Sequence, residues 1–361
     1  MTVTEQETGR RLQLVQGIHW LYAAGGDPYA ALLRGVPGTS PSQEYARIRA
    51  RGPVWRSRLG TWVSGQYASA VELLALADAH PVRPPAPQPR TALAWDAGLP
   101  AADVAGPPPA ADRVRELTAL ACARRFAALR DGTELVAEVA ARVPAEVLAD
   151  LHALTGGDRD RFLSACADAA PALDAALAPP SYEEARRLLE AVAVLRDLLG
   201  GSSARRAVVE VRAARELVAG TLHALLRESG QWAELAAGGP EAAERAVTET
   251  LRHDPPVKVH AFTAPADAEV GGERIGAGDQ VAVVVGAAHR DPDAGGQVLV
   301  PAPHGVELGP LVRATAATVV AELALRWPQL RASGPAYRRG RAPVTGALAH
   351  LPVVLGRPAG R

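Results

Sequence analysis

The chain has 361 residues, and its 39 basic and 39 acidic residues cancel to zero formal charge. That balance excludes the cationic excess on which phosphate-backbone binders depend, so no nucleic acid is expected as a partner. Apolar residues make up 48% and aromatics only 4%, so the core must be built mainly from Ala, Leu and Val. Lys258 is the only lysine.

In chain order, the polar start MTVTEQETGRR has no apolar signal core, which predicts a cytoplasmic protein. Residues 11–35 predict a first helix. Leu14, Ile18 and Leu21 fall at i, i+4 and i+7, and Leu12, Val15 and Tyr22 widen the stripe. Gly25-Gly26 stops that helix, and Asp27-Pro28 opens a short element. The alternation in 53–64 predicts a hairpin, and a helix follows over 69–79. Residues 81–110 are proline-rich and read as a loop.

From 111 to about 250 the pattern is helical, with breaks at Pro144, Gly156-Gly157, Pro179-Pro180, Gly200-Gly201 and Gly238-Gly239-Pro240. Strand signals return over 257–285, a last helix spans 309–327, and 340–356 reads as a final hairpin. The longest apolar run, Val281 to Ala288, is too short to span a bilayer, so no membrane role is expected. Cys122 and Cys166 lie in no zinc or redox spacing and read as reduced core residues. No glycine-rich nucleotide loop and no GxSxG is present, and the nine histidines are scattered; His253 and His260, seven apart across a proline turn, do not make a metal site. No metal and no catalytic residue is assigned.

Residues 247–260, VTETLRHDPPVKVH, resemble the K-helix of cytochromes P450: Glu249-x-x-Arg252 followed by Asp-Pro-Pro. The downstream run APADAEVGGERIGAGDQVAVVVGAAHRDPD resembles the strands that follow that helix. The resemblance implies a mainly α fold with small β regions, laid out as one P450-like domain over 1–361. Its parts are an N-terminal helix and loop (1–35), a Pro-rich loop (81–110), a helical core (111–253), a β region (257–290) and a C-terminal helix (309–327). Glu249 and Arg252, at i and i+3, read as a structural ion pair.

The same resemblance locates what a P450 needs for haem. The axial thiolate position falls on Glu307 in PAPHGVELGPLVRA. The propionate-binding His of the C-helix falls on Ala111, although Arg113 and Arg115 remain. The strand Arg that faces a propionate falls on Phe262, and the acid–threonine pair of the central helix on Arg212 and Ala213. A thiolate pushes electron density onto iron, and buried propionates need cationic partners, so these losses imply no haem and no cofactor. His304 reads as a loop histidine in water or capping a helix rather than a substitute ligand. Only eleven residues separate Pro292 from His304, where P450s carry a long meander. The haem slot is expected to be collapsed or filled by side chains near Phe262, since cavities are costly.

The opening GRRLQLVQGIHWLYAAGGDPYAALLRG resembles a narrower family. Its carriers are Leu12-Gln13, Gly17, His19-Trp20, Tyr22, Gly26-Asp27-Pro28-Tyr29 and Leu32-Leu33. These are the P450-like auxiliary proteins of deoxyaminosugar glycosyltransferases in macrolide pathways, most similar in the branch serving desosaminyl transfer to the erythromycin macrolactone. The resemblance implies a non-catalytic activator that forms a hetero-oligomer, a heterotetramer being one arrangement, with the glycosyltransferase. Leu14, Ile18, His19, Trp20 and Tyr22 on the first helix are the candidate partner contacts. The rival readings are a dTDP-keto-deoxysugar isomerase of the same pathway and a haem protein with an unusual ligand.

Overall fold

A computed structural model describes residues 5–35, 40–78, 92–97, 99–100, 107–228 and 230–358. Part of the Pro-rich stretch, 81–91, 98 and 101–106, lies outside the described residues.

The N-terminal segment forms α1 (Glu5–Ala24) and α2 (Pro28–Arg34), parted at 25–27 where the sequence stops the first helix and opens the next; α1 starts at Glu5, ahead of the 11 expected. Asp27 separates them and caps α2. Its Oδ1 accepts from the backbone N–H groups of Tyr29 (2.9 Å) and Ala30 (3.0 Å). Its Oδ2 accepts from the Ser57 hydroxyl and the Arg58 N–H, both at 2.7 Å. Pro28 at the first helical position costs nothing there, because that N–H has no helical partner. One buried carboxylate thus stops α1, starts α2 and ties both to the hairpin that follows. Asp27→Ala removes a cap and orphans several buried donors. It should lower stability by about 2–4 kcal/mol in urea unfolding.

Helix α3 (Ser42–Arg49) leads into a hairpin of β1 (Trp55–Arg56) and β2 (Trp62–Ser64), and α4 (Tyr67–Asp78) follows. The helical body runs through α5 (Ala111–Phe126), a π-helical turn (Val136–Ala140), α6 (Arg142–Leu151), α7 (Gly156–Asp168) and the short α8 (Ala172–Ala175). A capping box, Ser181 with Glu184, opens α9 (Tyr182–Leu199). Gly200 breaks the chain before α10 (Gly201–Arg227), which is buried along most of its length. Arg205, Arg212 and Glu216 are among its buried side chains, and buried charges of this kind need partners. α10 packs against α9, α11 (Gln231–His253) and α13 (Pro310–Arg326). Gly239 kinks α11 with φ +62° and ψ −155°, a conformation glycine tolerates, and Pro240 then restarts the helix.

The strands are short. β3 (His260–Thr263), β4 (Ala268–Val270), β5 (Glu273–Ile275) and β6 (Gln280–Val283) are followed by one helical turn, α12 (Val285–Ala288). One sheet has the order β1-β2-β6-β3; β2 pairs with β6 in parallel, Val63 opposite Ala282. The hairpin near the N-terminus and the strands β3 and β6 are therefore one sheet, while β4 and β5 pair apart from it. The tail differs from the hairpin read at 340–356. β7 (Arg331–Ala332) pairs with β10 (Val353–Val354), and β8 (Tyr337–Arg338) pairs inside it with β9 (Leu348–His350). Pairing starts at 331 because β7 lies only a few residues past the end of α13, and residues 339–347 form the turn.

Lys258 locks this tail to the body. Its Nζ is buried and donates to the carbonyls of Pro255 (2.9 Å) and Thr345 (2.6 Å), and pairs with Asp254 at 3.0 Å. Burial pulls its pKa below the usual lysine value, and Asp254 opposes that. Asp254, the acid of the Asp-Pro-Pro turn, also receives Arg338 at 2.9 Å. Burial favours its neutral form, but Lys258 and Arg338 outweigh burial and hold its carboxyl below the usual range.

Candidate functional site

The positions that would serve a haem are spread over α5, α10, β3 and the loop before α13. Ala111 is the first, half-buried residue of α5. Arg113 and Arg115 of the same helix are spent on surface pairs, with Glu116 at 2.6 Å and Asp112 at 2.7 Å. Phe262 is buried on β3, its ring 5.6 Å from the buried ring of His260. His260 is held neutral, its pKa pushed down to about 4 by burial and then by the charge of His304. Glu307 is exposed to solvent, two residues beyond the single turn Pro303–Gly305.

Arg212, at the position of the central-helix acid, is buried, as is Ala213 beside it. Its guanidinium reaches Asp174 (3.3 Å), Glu216 (3.2 Å) and the Thr345 hydroxyl (3.2 Å). Asp174 in turn accepts from the N–H groups of Val344 (2.9 Å) and Thr345 (3.0 Å). The guanidinium thus braces α8, α10 and the tail, and supplies neither the acid nor the hydroxyl that proton delivery to oxygen requires.

Beside Phe262 stands a group of residues that sequence reasoning missed. Arg205 of α10 donates to Asp96 Oδ2 at 2.9 Å and to the Leu99 carbonyl at 2.7 Å. His304 Nδ1 meets the same Asp96 oxygen at 2.9 Å. The His304 ring packs on Trp95, centroids 4.7 Å apart. Asp96 and Arg205 are both buried. Burial alone would favour the neutral acid; the hydrogen bond and charge of His304, then Arg205, outweigh it and hold Asp96 below the usual carboxylate range. The expectation of His304 as a loop residue in water or a helix cap is corrected: it is mostly buried, with φ +54°, because Asp96 and Trp95 hold it inward. The signal available in sequence was Trp95-Asp96, an aromatic and an acid inside a proline-rich stretch.

What remains open beside Phe262, between Asp96, Arg205, His304 and Val344, is about 70 Å³. Cofactor sites run to roughly 300–1,000 Å³. The two cysteines lie elsewhere, on α5 and α7, buried, with burial pushing both thiols up, Cys166 to about 12. The residues present do not fit a haem: no thiolate reaches the slot, and its cations are committed to Asp96. Among the described residues, no cluster of three His, Cys, Asp or Glu is arranged for a metal ion, and no helix is long and apolar enough to cross a membrane.

Glu249 and Arg252 hydrogen-bond on α11, with His253 3.5 Å from the same carboxylate. Glu249 is 57% exposed, so the pair contributes little on its own.

The five candidate partner contacts do not share a face. Leu14 and Trp20 are 59% and 57% exposed, and Leu21 joins them at 58%. Around Gly17, whose missing side chain faces open space, they make an apolar outer surface on α1. His19 is buried, its pKa pushed down to about 4 by desolvation. Ile18, His19 and Tyr22 instead line a cavity of about 240 Å³ against the β1–β2 hairpin and β6. The stripe read from Leu14, Ile18 and Leu21 is therefore corrected. The inner face follows Leu12, Val15 and His19, the side on which α2 and the hairpin stand.

The long buried α10, the kinked α11 carrying Glu-x-x-Arg, and the loop leading into α13 define a cytochrome P450 fold. Solved P450 structures share it: CYP164A2 of Mycobacterium smegmatis superposes with a TM-score of 0.70 at 23% identity, over 91% of this chain and 99% of that one. No protein-family model matches the chain. Full-length relatives do: AknT of Streptomyces galilaeus is 33% identical over 97% of this chain and 96% of its own. The cytochrome P450 family protein EryCII of Saccharopolyspora erythraea is 34% identical over 98% of this chain and 100% of its own. The chain belongs to the family of P450-like auxiliary proteins that these relatives represent.

Proposed function

We propose that this protein is a non-catalytic activator that binds a dTDP-deoxyaminosugar glycosyltransferase, desosaminyl transfer being the nearest case, and promotes sugar transfer to a macrolide aglycone. The observation that carries the reading is the fate of the oxygenase slot. The P450 fold is kept, while beside Phe262 the hydrogen-bonded Asp96, Arg205 and His304 leave only about 70 Å³ open, which supports a scaffold without oxygen chemistry. A scaffold retained without its reaction centre acts through its surface.

Activation of this kind needs only differential binding. A partner that prefers the active conformation of the transferase raises that population by the ratio of the two affinities. If it holds the folded transferase, stability rises by about 2.7 kcal/mol when its concentration is 100 times Kd. The outer face of α1 suits the contact: Leu14, Trp20 and Leu21 are large, apolar and exposed, and tryptophan is a common interface anchor. The resulting assembly is a hetero-oligomer.

The test is co-expression with a deoxyaminosugar glycosyltransferase. Co-purification, together with sugar transfer that depends on this protein, is the expected result. Transfer that proceeds equally well in its absence would overturn the reading, as would turnover of a dTDP-keto sugar by this chain alone.

A further inference from the structure

A larger chamber lies on the other side of α10. It measures about 460 Å³, sits between α6, α7 and α10, and shares no lining residue with the slot beside Phe262. The wall is made of short side chains where the helices meet, among them Ala141, Ala145, Ala170 and Ala207, with Val208 and Val211. Several lining residues, Ala141, Arg142 and Ala170 among them, are only half-buried, so the chamber opens to solvent and a ligand can enter it. A void of this size falls in the range of small-molecule sites.

Its polar groups are one-sided. Arg125, Arg142, Arg212 and Arg215 line the chamber with Glu146; Arg125 is paired with Glu146 and Arg215 with Glu216, which leaves Arg142 and Arg212 as the groups that could take an anion. Arg212 carries the second observation. Its side chain is 2% exposed and already paired through its terminal nitrogens, yet Nε donates to nothing. A buried, charged donor without a partner, on a residue that lines the chamber, calls for an acceptor. Arg142 is half-exposed and holds Glu138 only at 3.5 Å, a pair that a ligand can displace.

We propose that this chamber binds a small amphipathic organic anion. The apolar body would lie on the alanine wall, and the carboxylate would be taken by the guanidinium groups. The site is independent of the transferase contact proposed on α1.

The probe is decanoate, titrated calorimetrically into the full-length protein. Saturable one-to-one binding is expected, with 1-decanol weaker by about tenfold or more, because hydrogen bonds between charged groups are lost. Ala141→Phe and Ala170→Phe, at half-buried wall positions, should abolish binding. Cys166 lines the chamber and Cys122 does not, so decanoate should also slow the reaction of one thiol with dithiodipyridine in the unaltered protein. That readout stands even if the filled variants fail to fold. Absence of saturable binding at millimolar decanoate, equal binding of decanol, or binding unaffected by the phenylalanine variants would overturn the proposal.

Discussion

Arg205→Met should destabilise the protein by about 3–5 kcal/mol, read as a lower urea midpoint with little change in slope. The substitution keeps the apolar stem that α10 buries and removes only the cation. Asp96 is then left in the interior with His304 as its one remaining side-chain partner, and the Leu99 carbonyl loses its donor. Removing one member of a buried pair is costly because the survivor keeps its desolvation penalty. The double variant Arg205→Met with Asp96→Leu should recover much of the loss, since both charges go together. A midpoint for Arg205→Met within about 0.5 kcal/mol of the parent, the range of ordinary surface changes, would show that the cluster holds nothing.

The same cluster gives stability a pH dependence. The folded-state pKa of Asp96 is depressed, so it contributes stability that is fully present above the unfolded value of about 3.9. That stability is lost as pH falls through the lower folded value. Asp254 adds to the acid limb in the same direction. Chemical denaturation should therefore show a falling midpoint below about pH 4, and Asp96→Asn should flatten part of that limb.

Trp20→Glu should weaken capture of the transferase by about 30-fold or more while leaving the protein's own unfolding unchanged. Truncation of an anchoring tryptophan costs roughly 2 kcal/mol and upward at an interface, and a buried unpaired carboxylate adds to that. The variant is safe for the fold because Trp20 is more than half exposed and its inward neighbours, Val15 and His19, are untouched. Leu14→Glu should act in the same direction on the same face. Equal capture by the parent and both variants would move the contact elsewhere on the surface.

The frame was legible because its signals are local. Asp27-Pro28, Gly200 and Gly238-Gly239-Pro240 mark breaks through backbone chemistry that needs no tertiary partner, and the structure ends or kinks helices there. The last helix was read as 309–327 and spans Pro310–Arg326, because Gly309-Pro310 and Trp327-Pro328 punctuate both ends. The slot was only half legible. Absence of a cysteine can be seen in a string of letters, but what fills the space cannot: Asp96 meets its partners 109 and 208 residues away, and no local pattern reports that pairing. The face of α1 misled for a related reason. Leu12, Leu14, Val15, Ile18 and Leu21 surround most of the helix, so periodicity admits more than one inner side, and the β1–β2 hairpin decides which is used.

Lys258 has a practical corollary. The sole ε-amine of the chain is sealed beneath the Pro255 and Thr345 carbonyls, so succinimidyl esters and glutaraldehyde have no side-chain target on the native surface. Zero-length carbodiimide coupling between side chains must then run from this protein's carboxylates to the partner's lysines, which gives each such cross-link a known polarity. Acylation of Lys258 becomes a clock for opening of the tail, a covalent record of each excursion from the folded state.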